Sequence, residues 1–170
     1  MLTSGGWTVD PDNESVVSIR GRVAVSGQVH VFIKEAGRDW YLDASISNTI
    51  TSGWLNAIRD ALDGGVTDLQ VKYMAWGSSA TAPLATQTTL VTESGRKQIT
   101  QYTDGATGVQ STLTFLAPGD AVQQIEELGW FAGSAATATV DSGTMVGRVL
   151  YSKNKTILET IQVTRDDTFA

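Results

Sequence analysis

The chain has 170 residues, of which 41% are hydrophobic and 18% are charged, and this balance is typical of one folded domain with a well-filled core. Its net charge is −6, and its basic residues are scattered apart from Arg96-Lys97 and Lys153/Lys155, which argues against a nucleic-acid-binding surface. The absence of cysteine excludes disulfides and thiolate metal sites. No apolar run approaches the roughly 20 residues that cross a bilayer. The first residues lack the features of a signal peptide, so we expect synthesis in a cytoplasm.

The N-terminal segment 1–14 is rich in Gly, Ser and Asp and contains Pro11, which predicts a flexible arm. An arm of this kind is either disordered or docked on a neighbouring subunit, and the composition leaves both open. Trp7 is its one aromatic residue. We interpret residues 15–170 as a single β-rich domain that follows the arm.

Alternating apolar and polar residues run through 15–47 and predict an N-terminal antiparallel meander. Val29, Val31 and Ile33 share one face of the second strand of this meander. The turn signals are Ser26-Gly27 and Ala36-Gly37, and a third strand is predicted over 39–44.

Residues 52–63 have a clear helical period. Ser52 is the predicted N-cap, and Gly64-Gly65 supply a left-handed C-terminal stop. Because a helix of about three turns is marginal alone, we expect its apolar face to pack on a sheet. The predicted apolar face consists of Trp54, Leu55, Ala57, Ile58, Ala61 and Leu62.

The region 66–165 is predicted to hold the main β structure. A small-residue loop over 77–88 contains Pro83, which favours an extended path. In 109–116, Val109, Ser111, Leu113 and Phe115 share one strand face, opposite Gln110, Thr112 and Thr114. The predicted strands lie at 69–76, 97–103, 109–116 and 156–164, with a turn at 117–120 and a polar tail at 165–170.

The stretch 124–156 combines a strand that carries Trp130-Phe131, a small-residue loop, a turn at Asp141-Ser142-Gly143 and a second strand. Together with the other segments it makes roughly eight or nine strands and one helix. The predicted class is therefore mainly β, an antiparallel β-sandwich or jelly-roll-like domain with one short packed helix.

Two motifs contain residue types that occur in catalytic centres. His30 is the only histidine and lies opposite the apolar face of its strand, and no G-x-S-x-G elbow accompanies it, so we interpret it as a surface or interface residue. The run 140–144, V-D-S-G-T, is the signature of an aspartic protease, which needs two such loops to pair its carboxylates. One copy per chain would require a homodimer. The alternative that we favour is a turn between two strands.

Acidic clusters and glycine-rich loops point to no site. The spacing of Asp10, Asp12 and Glu14 matches part of a calcium loop, but the central glycine and the closing glutamate are missing. Glu126-Glu127 and Asp166-Asp167 are adjacent pairs, so their members point to opposite strand faces. Phosphate-binding motifs are absent. We therefore predict no catalytic, cofactor-binding or metal-binding residue and no enzymatic activity.

The tryptophan residues suggest carbohydrate binding as an alternative function. Trp40, Trp54, Trp76 and Trp130 have faces that suit stacking on sugar rings. However, Trp54 belongs to the helix's apolar face, and burial is the default for tryptophan within strands. Carbohydrate binding is thus an alternative to the main interpretation.

Several segments resemble blocks of one known protein family. The helix N-A-I-R-D-A-L, the strand V-K-Y-M-A-W-G-S and the loop S-A-T-A-P-L-A-T-Q-T-T-L resemble the block I-x-Y-I-A-x-G-x-G-x-x-A-P of tailed-bacteriophage virion proteins. E-E-L-G-W-F-A-G, S-G-T-M-V-G-R-V-L-Y and K-T-I-L-E-T-I-Q-V-T-R resemble that family's C-terminal half. The resemblance covers 52–164, and 15–47 more faintly.

The resemblance implies a virion structural protein of the minor-tail or tail-fibre-associated type, without active-site residues. We expect it to assemble through protein–protein contacts in the tail, baseplate, collar or fibre-attachment region of the virion. Expected partners are other virion proteins and copies of itself, without nucleic acid or membrane. The alternatives are a capsid decoration protein and a module that binds carbohydrate, such as a host glycan, or another receptor.

Overall fold

A computed structural model describes residues 7–9, 17–19, 24–105 and 107–169. Two short strands, β1 (Trp7–Val9) and β2 (Val17–Ile19), form an antiparallel sheet of their own. The remaining elements are β3 (Val25–Glu35), β4 (Tyr41–Ile50), α1 (Ser52–Leu62), β5 (Val71–Gly77), β6 (Glu93–Gln98), β7 (Gln101–Asp104), β8 (Val109–Leu116), β9 (Gln124–Ala132), β10 (Thr144–Asn154) and β11 (Glu159–Phe169). Within the described residues, no helix is long and apolar enough to span a bilayer.

The nine longer strands form one curled antiparallel sheet in the order β6-β5-β9-β10-β4-β3-β11-β8-β7. Its two halves join where β10 pairs with β4, at Gly147 with Ile50 and Arg148 with Thr49. Both halves contribute to one hydrophobic core. The predicted mainly-β antiparallel class with one short helix is therefore confirmed.

The sheet curls because two strands that follow one another in the chain lie at its opposite edges. β6 and β7 follow one another in the chain but lie at opposite ends of the strand order. Between them, the N–H of Ile99 donates to the carbonyl of Lys72, and that of Thr100 to the carbonyl of Leu113, both at 2.8 Å. The single strand predicted over 97–103 is therefore wrong, since the chain changes partners at Ile99.

The core-facing side of β3 follows its sequence pattern, whereas that of β8 does not. Val29, Val31 and Ile33 are fully buried, as their shared face predicts. In β8 the alternation is also present, but the buried set is Thr112, Thr114 and Leu116. The more apolar set, Val109, Ser111, Leu113 and Phe115, is half-buried on the outer face.

Glycine in β3 reflects close packing rather than a turn. The predicted turn at Ser26-Gly27 is wrong, because both residues lie inside β3. A Cβ on Gly27 would lie 2.9 Å from Nδ2 of Asn48 and 3.1 Å from Oδ1 of Asp167. Glycine is therefore needed there to admit two neighbouring side chains.

Helix α1 covers nearly the predicted residues, but its N-cap lies one residue earlier than predicted. Thr51 is the N-cap, since its Oγ1 accepts a hydrogen bond from the N–H of Trp54 at 3.2 Å, so the prediction of Ser52 is wrong. Gly64 ends the helix with a φ of +75°, as predicted. Trp54 is buried, but Leu55 and Leu62 are exposed, because the side that packs on the sheet is narrower than the predicted face.

The half of the sheet formed by β5, β9 and β10 is buried on both faces. A second apolar cluster lies on its outer side and includes Ala75, Phe131 and Met145. Leu90 and Ala136, from the loops over 78–92 and 133–143, complete this cluster. The loop at 77–88 is mainly exposed, yet its C-terminal continuation covers the sheet.

The C-terminal end of the chain differs from its prediction. The predicted polar tail at 165–170 is strand through Phe169, with Arg165 and Asp167 buried. Near the N-terminus, β1 pairs with β2 and so crosses the boundary predicted after residue 14. The other residues of the predicted arm, including Asp10, Asp12 and Glu14, lie outside the described part of the chain.

Candidate interaction surface

The turn between β10 and β11 is held by one carboxylate. Oε2 of Glu159 accepts hydrogen bonds from the N–H of Thr156 at 2.7 Å and from its hydroxyl at 3.0 Å. Oε1 lies 2.7 Å from Nζ of Lys153. Burial raises the pKa of Glu159, but the hydrogen bonds from Lys153 and Thr156 outweigh it and hold that pKa below its usual value. The ionised carboxylate thus fixes the turn.

A buried lysine ties this turn to the loop between β8 and β9. Nζ of Lys155 donates to the carbonyls of Ala117 at 2.9 Å, Pro118 at 3.2 Å and Thr156 at 3.4 Å. Burial lowers the pKa of Lys155, because desolvation disfavours the ammonium. Two neighbouring connections are therefore held together by a single cation.

The rigid turn presents apolar side chains to solvent. Ile157 is 63% exposed and Leu158 is 68% exposed. They line an open cleft of about 250 Å³ together with Lys34, Gly37 and Pro118. Ordered apolar groups that are left in water mark interaction sites more often than isolated surface hydrophobics do.

Further exposed apolar residues lie at the same end of the sheet, on or beside its outer face. Trp40, 39% exposed, packs its ring against that of Phe115 with centroids 6.1 Å apart. Leu42 is 52% exposed and pairs across strands with Phe32. We define the tip surface as the exposed residues Trp40, Leu42, Pro118, Ile157 and Leu158.

We expect Glu159→Gln to destabilise the protein by about 1–2 kcal/mol at neutral pH, because it removes an ionised hydrogen-bond acceptor. The folded pKa of Glu159 is lower than the ordinary 4.5. Its stabilisation is therefore present above the unfolded pKa and is lost as pH falls through the folded value. Urea unfolding should show a difference between wild type and variant at about pH 7 that shrinks at about pH 3. An equal difference at both pH values would contradict this assignment.

His30 lies on the outer sheet face, as predicted, and does not activate a serine. Its Nε2 is 3.7 Å from Oδ2 of Asp166, and Oγ of Ser111 donates to Oδ1 of the same carboxylate at 2.5 Å. In a Ser-His-Asp triad the serine would donate to the histidine. Here both groups contact the aspartate, so the arrangement is a cross-strand polar contact.

The D-S-G sequence forms a turn. Asp141 is exposed, with a φ of +58°, and its N–H donates to Oε2 of Glu93 at 3.1 Å. Oγ of Ser142 donates to the carbonyl of Thr139 at 2.6 Å and accepts from the N–H of Thr137 at 3.0 Å. Turn chemistry therefore accounts for the residues of this motif.

The two acidic pairs divide between strand faces, as predicted. Glu127 and Asp167 are buried, whereas Glu126 and Asp166 are half-exposed. Within the described ranges, no three His, Asp or Glu residues are arranged to hold a metal ion. Of the four tryptophans considered for sugar stacking, three are buried, and Trp40 is the one with an exposed face.

Three buried Arg–carboxylate pairs were not anticipated from the sequence. Each has a nitrogen–oxygen distance of 2.6 Å and nearly complete burial of both side chains. A charged residue in a strand usually indicates a solvent-facing position, so alternation alone could not reveal these pairs. They are Arg96–Glu93, Arg148–Glu127 and Arg165–Asp167.

The chain has no match among protein-family models, curated proteins or solved structures. The resemblance to tailed-bacteriophage virion proteins therefore stays a prediction that rests on the sequence motifs.

Proposed function

We propose that this chain is a structural subunit that acts through protein–protein contacts made by the tip surface. Following the sequence resemblance, its place is a tailed-bacteriophage virion, in the tail, baseplate, collar or fibre-attachment region. A capsid decoration protein is the alternative position within the same class. Its partners are copies of itself and other virion proteins.

The observation that carries the proposal is the turn at 156–159. A carboxylate and a buried lysine restrain the backbone on both sides of Ile157 and Leu158, yet these side chains remain largely exposed. A restrained turn loses little conformational entropy on binding. The apolar side chains would then gain the free energy of leaving water when a partner covers them.

We expect the wild-type protein to self-associate and the double variant Ile157→Asp/Leu158→Asp to be monomeric, because two carboxylates would be desolvated at the contact. Light scattering coupled to size-exclusion chromatography over a range of concentrations measures both masses. The matched control is Leu62→Asp, since Leu62 is 76% exposed at the end of α1. A wild type that stays monomeric, or a tip variant that associates equally well, would refute the proposal.

Glycan binding is a second candidate function, because Trp40 has an exposed face. An indole ring beside Phe115 is suited to stacking on a sugar. A change in tryptophan fluorescence with a glycan panel, lost in Trp40→Ala, would support it. Identical spectra with and without every glycan would remove it.

A further inference from the structure

The tip surface combines a fixed apolar projection with open clefts. Leu158 is 68% exposed, and the turn that carries it is held by the carboxylate of Glu159 and the ammonium of Lys155. It lines two clefts, of about 250 Å³ and about 210 Å³. The larger cleft is also lined by Lys34, Gly37, Pro118 and Ile157. Each water occupies about 30 Å³ of liquid, so this cleft holds several waters that an apolar side chain would displace.

Two charged residues of this region have no ion partner. Lys34 lines the larger cleft, and Asp39 immediately precedes Trp40 of the tip surface. Both are exposed, and neither takes part in an ion pair within the described part of the chain. By contrast, the neighbouring Glu35 and Arg38 pair with each other at 3.1 Å. The surface therefore offers one available charge of each sign.

These features have the arrangement that a two-fold contact requires. In such a contact, residue i of one copy meets residue j of the other, and j meets i. A projection beside a cleft satisfies this condition, because each copy can fill the cleft of the other. An available cation and an available anion also satisfy it, because the same ion pair can form twice, whereas a surface of one sign would repel its own copy. Each chain carries a net charge of −6, so paired charges at the contact would offset part of the repulsion between copies.

We propose that two copies bind through their tip surfaces about a two-fold axis. Leu158 of each copy enters the larger cleft of the other, and Lys34 of each copy pairs with Asp39 of the other. This inference rests on the proposed function and names the partner of the tip surface and the symmetry of the contact. Burial of apolar area drives the association. Because both copies use the same surface, the contact closes at a dimer and leaves the other surfaces of each subunit to further neighbours.

Opposite charge reversals test the reciprocal ion pair. Lys34→Glu would place two carboxylates against each other twice in the dimer, and Asp39→Lys would do the same with two ammonium groups. We expect each variant alone to dimerise at least about tenfold more weakly than wild type. Mixed in equal amounts, the two variants should dimerise about as well as wild type, because each copy then supplies the charge that the other needs. Asp63→Lys is the matched control, since it makes the same change in charge at an exposed position at the end of α1.

Light scattering over a range of concentrations measures these masses, with circular dichroism to verify folding. Wild type and Asp63→Lys should level off at twice the 18.1 kDa chain mass. If wild type grows beyond a dimer while Ile157→Asp/Leu158→Asp is monomeric, the two-fold contact is overturned and the tip surface keeps its proposed role. The reciprocal contact is also overturned if both charge variants dimerise like wild type, or if their mixture stays monomeric. If wild type itself does not associate, both proposals fail.

Discussion

Arg148→Met should destabilise the protein by about 3–5 kcal/mol, because it would leave the Glu127 carboxylate buried without its cation. Nε of Arg148 is 2.6 Å from Oε2 of Glu127, and both side chains are almost fully buried. The carboxylate also accepts hydrogen bonds from the N–H groups of Val91 at 3.1 Å and Thr92 at 2.8 Å. The pair therefore anchors the loop that precedes β6 as well as joining β9 to β10.

A double-mutant cycle separates the ion pair from the loss of packing. Arg148→Met/Glu127→Gln should be less destabilised than the sum of the two single variants, since the double variant leaves no uncompensated charge. Urea denaturation at neutral pH measures each free energy of unfolding. The exposed pair Arg38–Glu35 is the matched control, and Arg38→Met should cost less than about 1 kcal/mol. If Arg148→Met lowers the free energy of unfolding by less than about 1 kcal/mol, the buried pair is not required for stability.

Gly77→Ala should destabilise the protein by at least about 3 kcal/mol, because the added methyl group has no space. A Cβ at this position would lie 2.3 Å from the carbonyl oxygen of Thr92 and 2.5 Å from Oε1 of Glu127. Neither atom is free to retreat, since Ser78 donates to that carbonyl at 3.1 Å and Glu127 is held by Arg148. The substitution would thus displace both the strand end and the ion pair.

Gly119→Ala is the control for this substitution. Gly119 has nothing within 4 Å of its Cβ position, and it is not among the glycines with positive φ. We expect a change of less than about 1 kcal/mol, in the stabilising direction, because alanine restricts the unfolded chain. Thermal unfolding should show a fall of roughly 6–12 °C for Gly77→Ala and little change for Gly119→Ala. Equal melting temperatures would mean that the backbone near Gly77 relaxes freely.

Local periodicity predicted much of the secondary structure. Alternation in β3 and the apolar spacing of α1 were sufficient, because a strand or helix with one buried face repeats its apolar residues at the corresponding period. The turns at Ala36-Gly37 and Asp141-Ser142-Gly143 were also recognisable, since they use residues with strong turn preferences.

The candidate interaction surface was not predictable in the same way. Ile157 and Leu158 precede β11 and resemble the beginning of a core strand, so the predicted strand began at Thr156. In the structure β11 begins at Glu159, whose carboxylate holds the turn. Exposure of the two apolar side chains depends on that contact, which no local pattern encodes.

By itself, the sequence determined that this protein is mainly β, with one amphipathic helix and turns at particular residues, because these properties depend on neighbours along the chain. The tertiary structure determined which face of β8 is buried. It also determined which side chains leave room only for glycine at position 27 of β3, and which charged residues pair inside the protein. These depend on how strands pack in three dimensions, often through residues far apart in sequence, such as Gly27 with Asn48 or Arg148 with Glu127. A charged or threonine side chain becomes a core residue only when its surroundings in the folded protein supply its partner or the space for it.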